Sequence, residues 1–119
     1  MKNSLMGTTL ISEPISTQQL HEAGEELYGD MVKAVVDVEK GVMAVGAELH
    51  ADEEAFLLER NSRQENLWGI NLYPNRAMAE MVEFDSLINI RPRQNNRSRG
   101  VEDSEIRERI IGIVRNLVR

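Results

Sequence analysis

The chain has 119 residues, of which 41% are hydrophobic and 29% charged, with a formal net charge of −6 and no cysteine. This length favours one domain with a single modest core, and the lack of cysteine excludes a disulfide framework and thiolate chemistry. Apolar runs are far shorter than a bilayer span, and residues 1–15 carry one lysine and no apolar signal core, so we expect a cytoplasmic protein without a membrane segment.

Positive charge is concentrated near the C-terminal end. Residues 1–90 hold six Lys/Arg and sixteen Asp/Glu, whereas residues 91–119 hold eight Arg and four Asp/Glu. The acidic body argues against broad non-specific nucleic-acid binding. The basic C-terminal part either neutralises the acidic residues 1–90, within one chain or across a dimer, or it binds a phosphate. Nucleic acid therefore remains a possible partner that no motif directly supports.

The first predicted element is a helix. Ser16 followed by Gln19 is a capping-box pattern, which predicts a helix that starts near Thr17. Gly29 suits the position after the last helical turn, where a positive φ angle is needed.

Five stretches in which apolar and polar residues alternate predict β-strands. These stretches are Lys33–Val38, Val42–His50, Ala55–Arg60, Asn66–Tyr73 and Val82–Ile90. Residues 39–41 predict a tight hairpin turn in which Gly41 supplies a positive φ angle. Residues 75–81 fit either one helical turn or an irregular crossover.

A second helix is predicted at the C-terminal end. Asp103 is a suitable N-cap, and the apolar stripe that follows extends to about Leu117. The stripe is wider than a surface helix needs, so this helix either lies deep across a sheet or meets a partner.

Together these elements predict an α+β fold: an antiparallel five-strand sheet, connected as a meander, with the N-terminal and C-terminal helices packed on one face. We expect two layers, a flexible tail at residues 1–14 and a single α+β domain at residues 15–119. The alternative is a small curled barrel closed by the fifth strand.

Several blocks of the sequence are similar to a family of small prokaryotic proteins that is classed as a domain of unknown function. The blocks are Gly46–Asp52, Asn66–Pro74, Glu83–Ser86, Asn89–Pro92 and Asn96–Asp103. The resemblance covers roughly residues 15–119. It implies a small free-standing cytoplasmic domain and implies nothing about chemistry.

The first candidate site consists of Glu48, His50 and Asp52. They would share one face of the second strand, because alternate residues of a strand point the same way. Two carboxylates around an imidazole predict a divalent-metal site or a general acid–base group. The alternative is a solvated edge of the sheet, since this spacing is far less specific than HExxH.

The second candidate site is a polar patch of Asn71, Tyr73, Asp85 and Asn89, which would form if the fourth and fifth strands pair. Asparagine within a strand runs against β propensity, so a specific use of the amide is indicated. The patch is interpreted either as a hydrogen-bonded structural network or as a ligand-binding face.

The third candidate site consists of Arg91, Arg97 and Arg99, in a polar loop before the last helix. Guanidinium groups beside a helix N-terminus predict binding of an anion or of RNA phosphate. The loop lacks the GxxxxGK[ST] and GxGxxG layouts. The alternative is that these arginines pair with acidic side chains of this chain or of a neighbour.

Three functions follow from these patterns. The preferred one is a homo-oligomeric binding or interaction module, because the last helix has a wide apolar stripe, the second strand carries small residues and the charge is divided. The alternatives are an anion- or RNA-binding protein and a metal-assisted hydrolase. No cofactor is predicted, and the sequence does not decide whether the protein is an enzyme.

Overall fold

The fold is built on a sheet of five antiparallel strands. The computed structural model describes residues 7–119, with the backbone alone for Glu25 and Glu26. The strands are β1 (Thr9–Ile11), β2 (Val32–Asp37), β3 (Val42–Val45), β4 (Leu67–Leu72) and β5 (Val82–Glu83). The helices are α1 (Thr17–Tyr28), α2 (His50–Leu58), α3 (Met78–Met81) and α4 (Ser104–Leu117).

The strand order across the sheet is β1-β3-β2-β4-β5. The predicted α+β class and the five antiparallel strands are confirmed. The connection is not a simple meander, because the chain leaves β3 through α2 and returns on the far side of β2 as β4. The sheet is open, with β1 and β5 at its edges, so the barrel alternative is wrong.

One face of the sheet is covered by α1 and α4, as predicted. Leu20 from α1 and Ile110 and Val114 from α4 are fully buried against Val36 and Trp68 of the sheet. Burial of such side chains contributes about 1.5–3 kcal/mol each. The apolar stripe of α4 therefore finds its cover within the chain.

Backbone hydrogen bonds join the segment before α1 to the end of α4. The Ile15 amide donates to the Leu117 carbonyl, and the Arg119 amide donates to the Ile15 carbonyl, both at 2.8 Å. The capping box at the start of α1 is confirmed, because Ser16 N donates to Gln19 Oε1 at 2.9 Å and Gln19 N donates to Ser16 Oγ at 3.0 Å. These bonds fix the direction in which α1 enters the core.

The opposite face of the sheet is covered by α2, so the prediction of two layers is wrong. The predicted strand Ala55–Arg60 lies largely within this helix, whose buried residues are His50, Glu53 and Leu57. Their spacing of three and four residues is helical, and the acidic residues of its first turn favour a helix N-terminus. A short apolar run does not by itself distinguish the two structures.

The predicted second strand also ends earlier than expected, at Val45. Gly46 follows with a φ angle of +99°, a left-handed value that turns the chain out of the sheet. Glu48 and His50 therefore do not extend the strand, and the face that they were predicted to share does not exist.

The predicted fifth strand, Val82–Ile90, is wrong beyond its first two residues. Only Val82 and Glu83 pair with β4, and Leu87–Asn89 form a 3-10 turn. Residues 78–81, left open by the sequence, form the short helix α3.

The sheet has one strand that was not predicted. Thr9–Ile11, included in the expected tail, pairs with β3 as an edge strand. Residues 1–6 of that expected tail lie outside the described residues. No helix within residues 7–119 is long and apolar enough to cross a bilayer.

Candidate functional site

A cleft of about 500 Å³ opens on the face of the sheet that carries α2. Its floor comes from β2, β4 and β5, one wall from the start of α2, and the other from residues 85–88 and Arg99. Its lining includes the charged residues Lys33, Glu83, Asp85 and Arg99, together with the amide of Asn71 and the imidazole of His50. A concave site with a few convergent polar groups is the usual form of a small-molecule site.

The floor of the cleft is a row of three polar side chains across three strands. Asn71 of β4 lies opposite Lys33 of β2 on one side and opposite Glu83 of β5 on the other. The Asn71 Nδ2 atom donates to Glu83 Oε1 at 2.9 Å, and the Tyr73 hydroxyl donates to the same oxygen at 3.0 Å. Asn71 is buried, and its Oδ1 atom has no hydrogen-bond partner within the described part of the chain.

His50 opens α2 at one wall of the cleft and is only 8% exposed. Its Nε2 atom lies 2.8 Å from the Ile70 carbonyl oxygen. A carbonyl only accepts hydrogen bonds, so Nε2 carries the proton and the other ring nitrogen, Nδ1, is an acceptor in the neutral ring. Burial lowers the pKa of His50, and the nearby cations Lys33 and Arg99 lower it further. The imidazole is therefore neutral at pH 7.

The far wall carries an ion pair. The Arg99 Nε atom donates to Asp85 Oδ1 at 2.6 Å, and both side chains are about half exposed. Because each charge has a partner, this pair contributes little net charge to the cleft. Its exposure also keeps its contribution to stability small.

The backbone at the start of α2 presents further donors. Leu49 precedes the helix and provides no side-chain cap. The amides of His50 and Ala51 have no acceptor among residues 7–119, and both residues line the cleft. Unpaired amides at a helix N-terminus carry partial positive charge and favour an anion.

The predicted group of Glu48, His50 and Asp52 is separated in the structure. Glu48 and Asp52 are exposed and line a different cleft of about 380 Å³, and only His50 reaches the main one. Among the side chains that the structure describes, no three from His, Asp or Glu are arranged to hold a metal ion.

The predicted polar patch is brought together in part. Asn71 and Asp85 line the cleft, and Tyr73 contacts it through Glu83. Asn89 lies fully buried beside it and is hydrogen-bonded to the backbone of Gly69. Asn89 therefore has a structural use, as the network interpretation expected for the patch as a whole.

The three predicted arginines do not converge. Arg91 donates to the carbonyls of Gln64 and Leu67, and its guanidinium lies 4.2 Å from the centre of the Trp68 ring. Arg97 has an exposed side chain, and Arg99 alone reaches the cleft. Each arginine thus has a different environment.

Three features of the cleft were not predicted from the sequence: Lys33, Glu83 and the start of α2. Lys33 and Glu83 flank Asn71 in strand register, so a correct pairing of β2, β4 and β5 would have brought them together. The acidic first turn of α2, with Asp52 and Glu53, was a signal for a helix start.

A model of one protein family matches residues 9–117, from β1 to the end of α4. The chain belongs to the family described as protein of unknown function (DUF5674). The matched region contains the strands and helices found in residues 7–119 and all residues of the cleft. No curated protein matches the chain, and no solved structure does.

Proposed function

We propose that this protein is a small-molecule binding module whose ligand presents an anionic group, a carboxylate or a phosphate, to the cleft beside α2. One observation carries the proposal: the Lys33 side chain and the first residues of α2, whose backbone amides are unpaired, line one cleft of about 500 Å³. This size suits a small molecule.

Lys33 supplies the charge for such a ligand. Its Nζ atom lies 4.8 Å from the centre of the Tyr28 ring, and it forms no ion pair with a side chain that the structure describes. An ammonium held over an aromatic ring still has hydrogens available for an acceptor. A bound carboxylate would gain a charge-assisted hydrogen bond from it.

His50 supplies specificity next to that charge. Because its ring is neutral and its proton is committed to Ile70, Nδ1 is suited to accept a hydrogen bond from a ligand hydroxyl or amine.

The separated arginines favour a small ligand over RNA. Arg91 is committed to carbonyls and to Trp68, and Arg99 is paired with Asp85, so residues 91–99 do not form a continuous basic surface for a phosphate backbone. From the alternative of an anion- or RNA-binding protein, we retain anion binding and place the anion in the cleft. The cytoplasmic location and the homo-oligomeric state expected from the sequence stay predictions.

Titration of the ¹⁵N-labelled protein with acetate and with inorganic phosphate tests the proposal. We expect saturable shifts of the His50 and Ala51 amide signals with at least one of the two anions. Lys33→Met should weaken that binding about tenfold, which corresponds to about 1.4 kcal/mol and to the loss of one charge-assisted hydrogen bond.

Lys40→Met is the matched control, because Lys40 lies in the hairpin after β2 and donates to the Arg60 carbonyl outside the cleft. Shifts that never saturate, or that are equal in wild type and Lys33→Met, would show that the cleft holds no anion site.

A further inference from the structure

The row of side chains on the cleft floor has opposite charges at its two ends. Lys33 and Glu83 are each one strand away from Asn71, on either side, so all three lie on the same face of the sheet. Neighbouring strands are about 4.8 Å apart, which separates the backbones of Lys33 and Glu83 by about 10 Å.

The two end charges are not neutralised by ion pairs with the side chains that the structure describes. Lys33 contacts the face of the Tyr28 ring. Glu83 accepts hydrogen bonds only from uncharged donors, the Asn71 amide and the Tyr73 hydroxyl. Asp85, by contrast, has its charge matched by Arg99. The floor therefore presents a cation and an anion, held apart by an amide.

The Asn71 side-chain amide between them has one atom without a hydrogen-bond partner in the described structure. Asn71 is 6% exposed, and its Oδ1 atom has no donor among residues 7–119, while its Nδ2 atom is committed to Glu83. A buried acceptor without a donor is costly, so a ligand N–H group, directly or through a water molecule, would be favoured there.

We infer that the cleft takes a zwitterion: a small molecule whose carboxylate or phosphate lies at Lys33 and the start of α2, and whose ammonium lies at Glu83, across Asn71. The inference rests on the proposed anion site and adds the second charge. A purely anionic ligand would face the carboxylate of Glu83 at the far end of the row, whereas a zwitterion matches both ends. The fit is to the linear ω-amino acid class, in which the two charges stand on opposite ends of a short chain.

The test compares linear ω-amino acids, from glycine to 6-aminohexanoate, with carboxylates and alkylammonium ions of the same chain length. Binding is followed by the amide signals of the cleft residues in the ¹⁵N-labelled full-length protein. We expect one ω-amino acid to bind at least tenfold more tightly than either single-charge analogue.

Two variants separate the ends of the ligand. Glu83→Gln keeps an acceptor for Asn71 and Tyr73, and it should weaken the best ω-amino acid at least fivefold without weakening the matched carboxylate. Lys33→Met should weaken both. Glu80→Gln, an exposed residue of α3 outside the cleft, is the control for removal of one carboxylate.

The outcomes are distinguishable. If the simple carboxylates bind through Lys33 as tightly as every ω-amino acid, the zwitterion is overturned and the anion site stands. If neither class of compound gives a saturable shift, both proposals fall. A Glu83→Gln variant that binds the best ω-amino acid like wild type also overturns the inference.

Discussion

The carboxyl group of Glu53, on the inner side of α2, shows how strongly one residue can be altered by its surroundings. It is fully buried, and its Oε2 atom accepts one hydrogen bond, from the Ala47 amide at 3.2 Å. Its Oε1 atom has no partner within the described chain. Burial raises the pKa of Glu53 to about 9, so the group is protonated at neutral pH.

This protonation couples stability to pH. In the unfolded chain the carboxyl has a pKa near 4.5, and in the folded protein it has a pKa of about 9. Between these values the folded state holds a proton that the unfolded state releases, so this group lowers the free energy of unfolding as the pH rises. Its stabilising effect is complete below 4.5 and is lost as the pH approaches 9.

Glu53→Gln should remove that dependence, because the amide is neutral at every pH and its oxygen still accepts from Ala47. We expect the variant to be more stable than wild type by about 1–3 kcal/mol near pH 8 and to differ less near pH 5. Urea unfolding at both pH values measures this. Glu54→Gln, in the same helix, is the matched control, and parallel curves for wild type and Glu53→Gln would contradict the prediction.

At the scale of a single element, the outer edge of β4 is completed by side chains where β5 ends. Asn89 Oδ1 accepts from the Gly69 amide at 2.8 Å, and Asn89 Nδ2 donates to the Gly69 carbonyl at 3.0 Å. Arg91 donates to the Leu67 carbonyl on the same edge. The side chain of Asn89 thus makes both hydrogen bonds that a strand residue would make.

Gly69 permits this arrangement. A Cβ atom added there would lie 2.6 Å from the Cβ and Oγ atoms of Ser86, well inside contact distance. The absent side chain lets the segment that carries Asn89 lie directly against β4, and Asn89 Nδ2 fastens that segment by a third bond, to the Arg99 carbonyl.

Asn89→Ala should therefore release the segment from the sheet. Two buried backbone groups of Gly69 would lose their partners, at a cost of about 2–4 kcal/mol. Hydrogen exchange of the Gly69 amide should accelerate by the factor that corresponds to about 2–4 kcal/mol. The free energy of unfolding measured with a chemical denaturant should decrease by the same amount. Asn116→Ala, on the exposed side of α4, is the matched control. Unchanged protection of the Gly69 amide would show that the clamp carries no stability.

These elements also show how much the sequence could predict. The capping box at Ser16 and the N-cap at Asp103 depend on near neighbours, and the structure confirms them. The length of β5 depends on Asn89 reaching Gly69 twenty residues away, which no local pattern encodes. The short apolar run at Ala55–Arg60 fits both the two-residue period of a strand and the 3.6-residue period of a helix. Its burial against the sheet as part of α2 could not be predicted from the run itself.

The site follows the same rule. His50, Asn71, Asp85 and Arg99 were each predicted as functional, but in three separate groups of sequence neighbours. The structure brings these four to one cleft through strand register and the position of α2. The sequence could predict which side chains are candidates for a functional role. The tertiary structure was needed to show which of them lie together in one cleft.

At the scale of the whole molecule, the two edges of the sheet differ. At one end of the sheet, β5 and the side chains of Asn89 and Arg91 occupy the outer backbone groups of β4. At the other end, β1 pairs with β3 on one side and has no strand on its outer side within residues 7–119. Leu10 of β1 is 41% exposed. If the protein is a homo-oligomer, as its sequence predicts, the β1 edge is the surface that can supply backbone partners.

Sedimentation velocity tests this self-association. We expect wild type at about 50 µM to sediment faster than a 13.5 kDa monomer, and Leu10→Lys to move toward the monomer because a charge at the edge disfavours strand pairing. Leu58→Lys, at an equally exposed position of α2, is the matched control. A wild type that is monomeric at this concentration would rule out the homo-oligomer.

The clamp of Asn89 on Gly69 also bears on misfolding. An open strand edge is a template onto which a foreign chain can grow, and proteins avoid aggregation by blocking such edges. Here one carboxamide occupies the positions where an incoming strand would dock. Loss of this side chain would leave the Gly69 amide and carbonyl open to an added strand, so we expect Asn89 to hinder edge-to-edge association as well as to hold its loop.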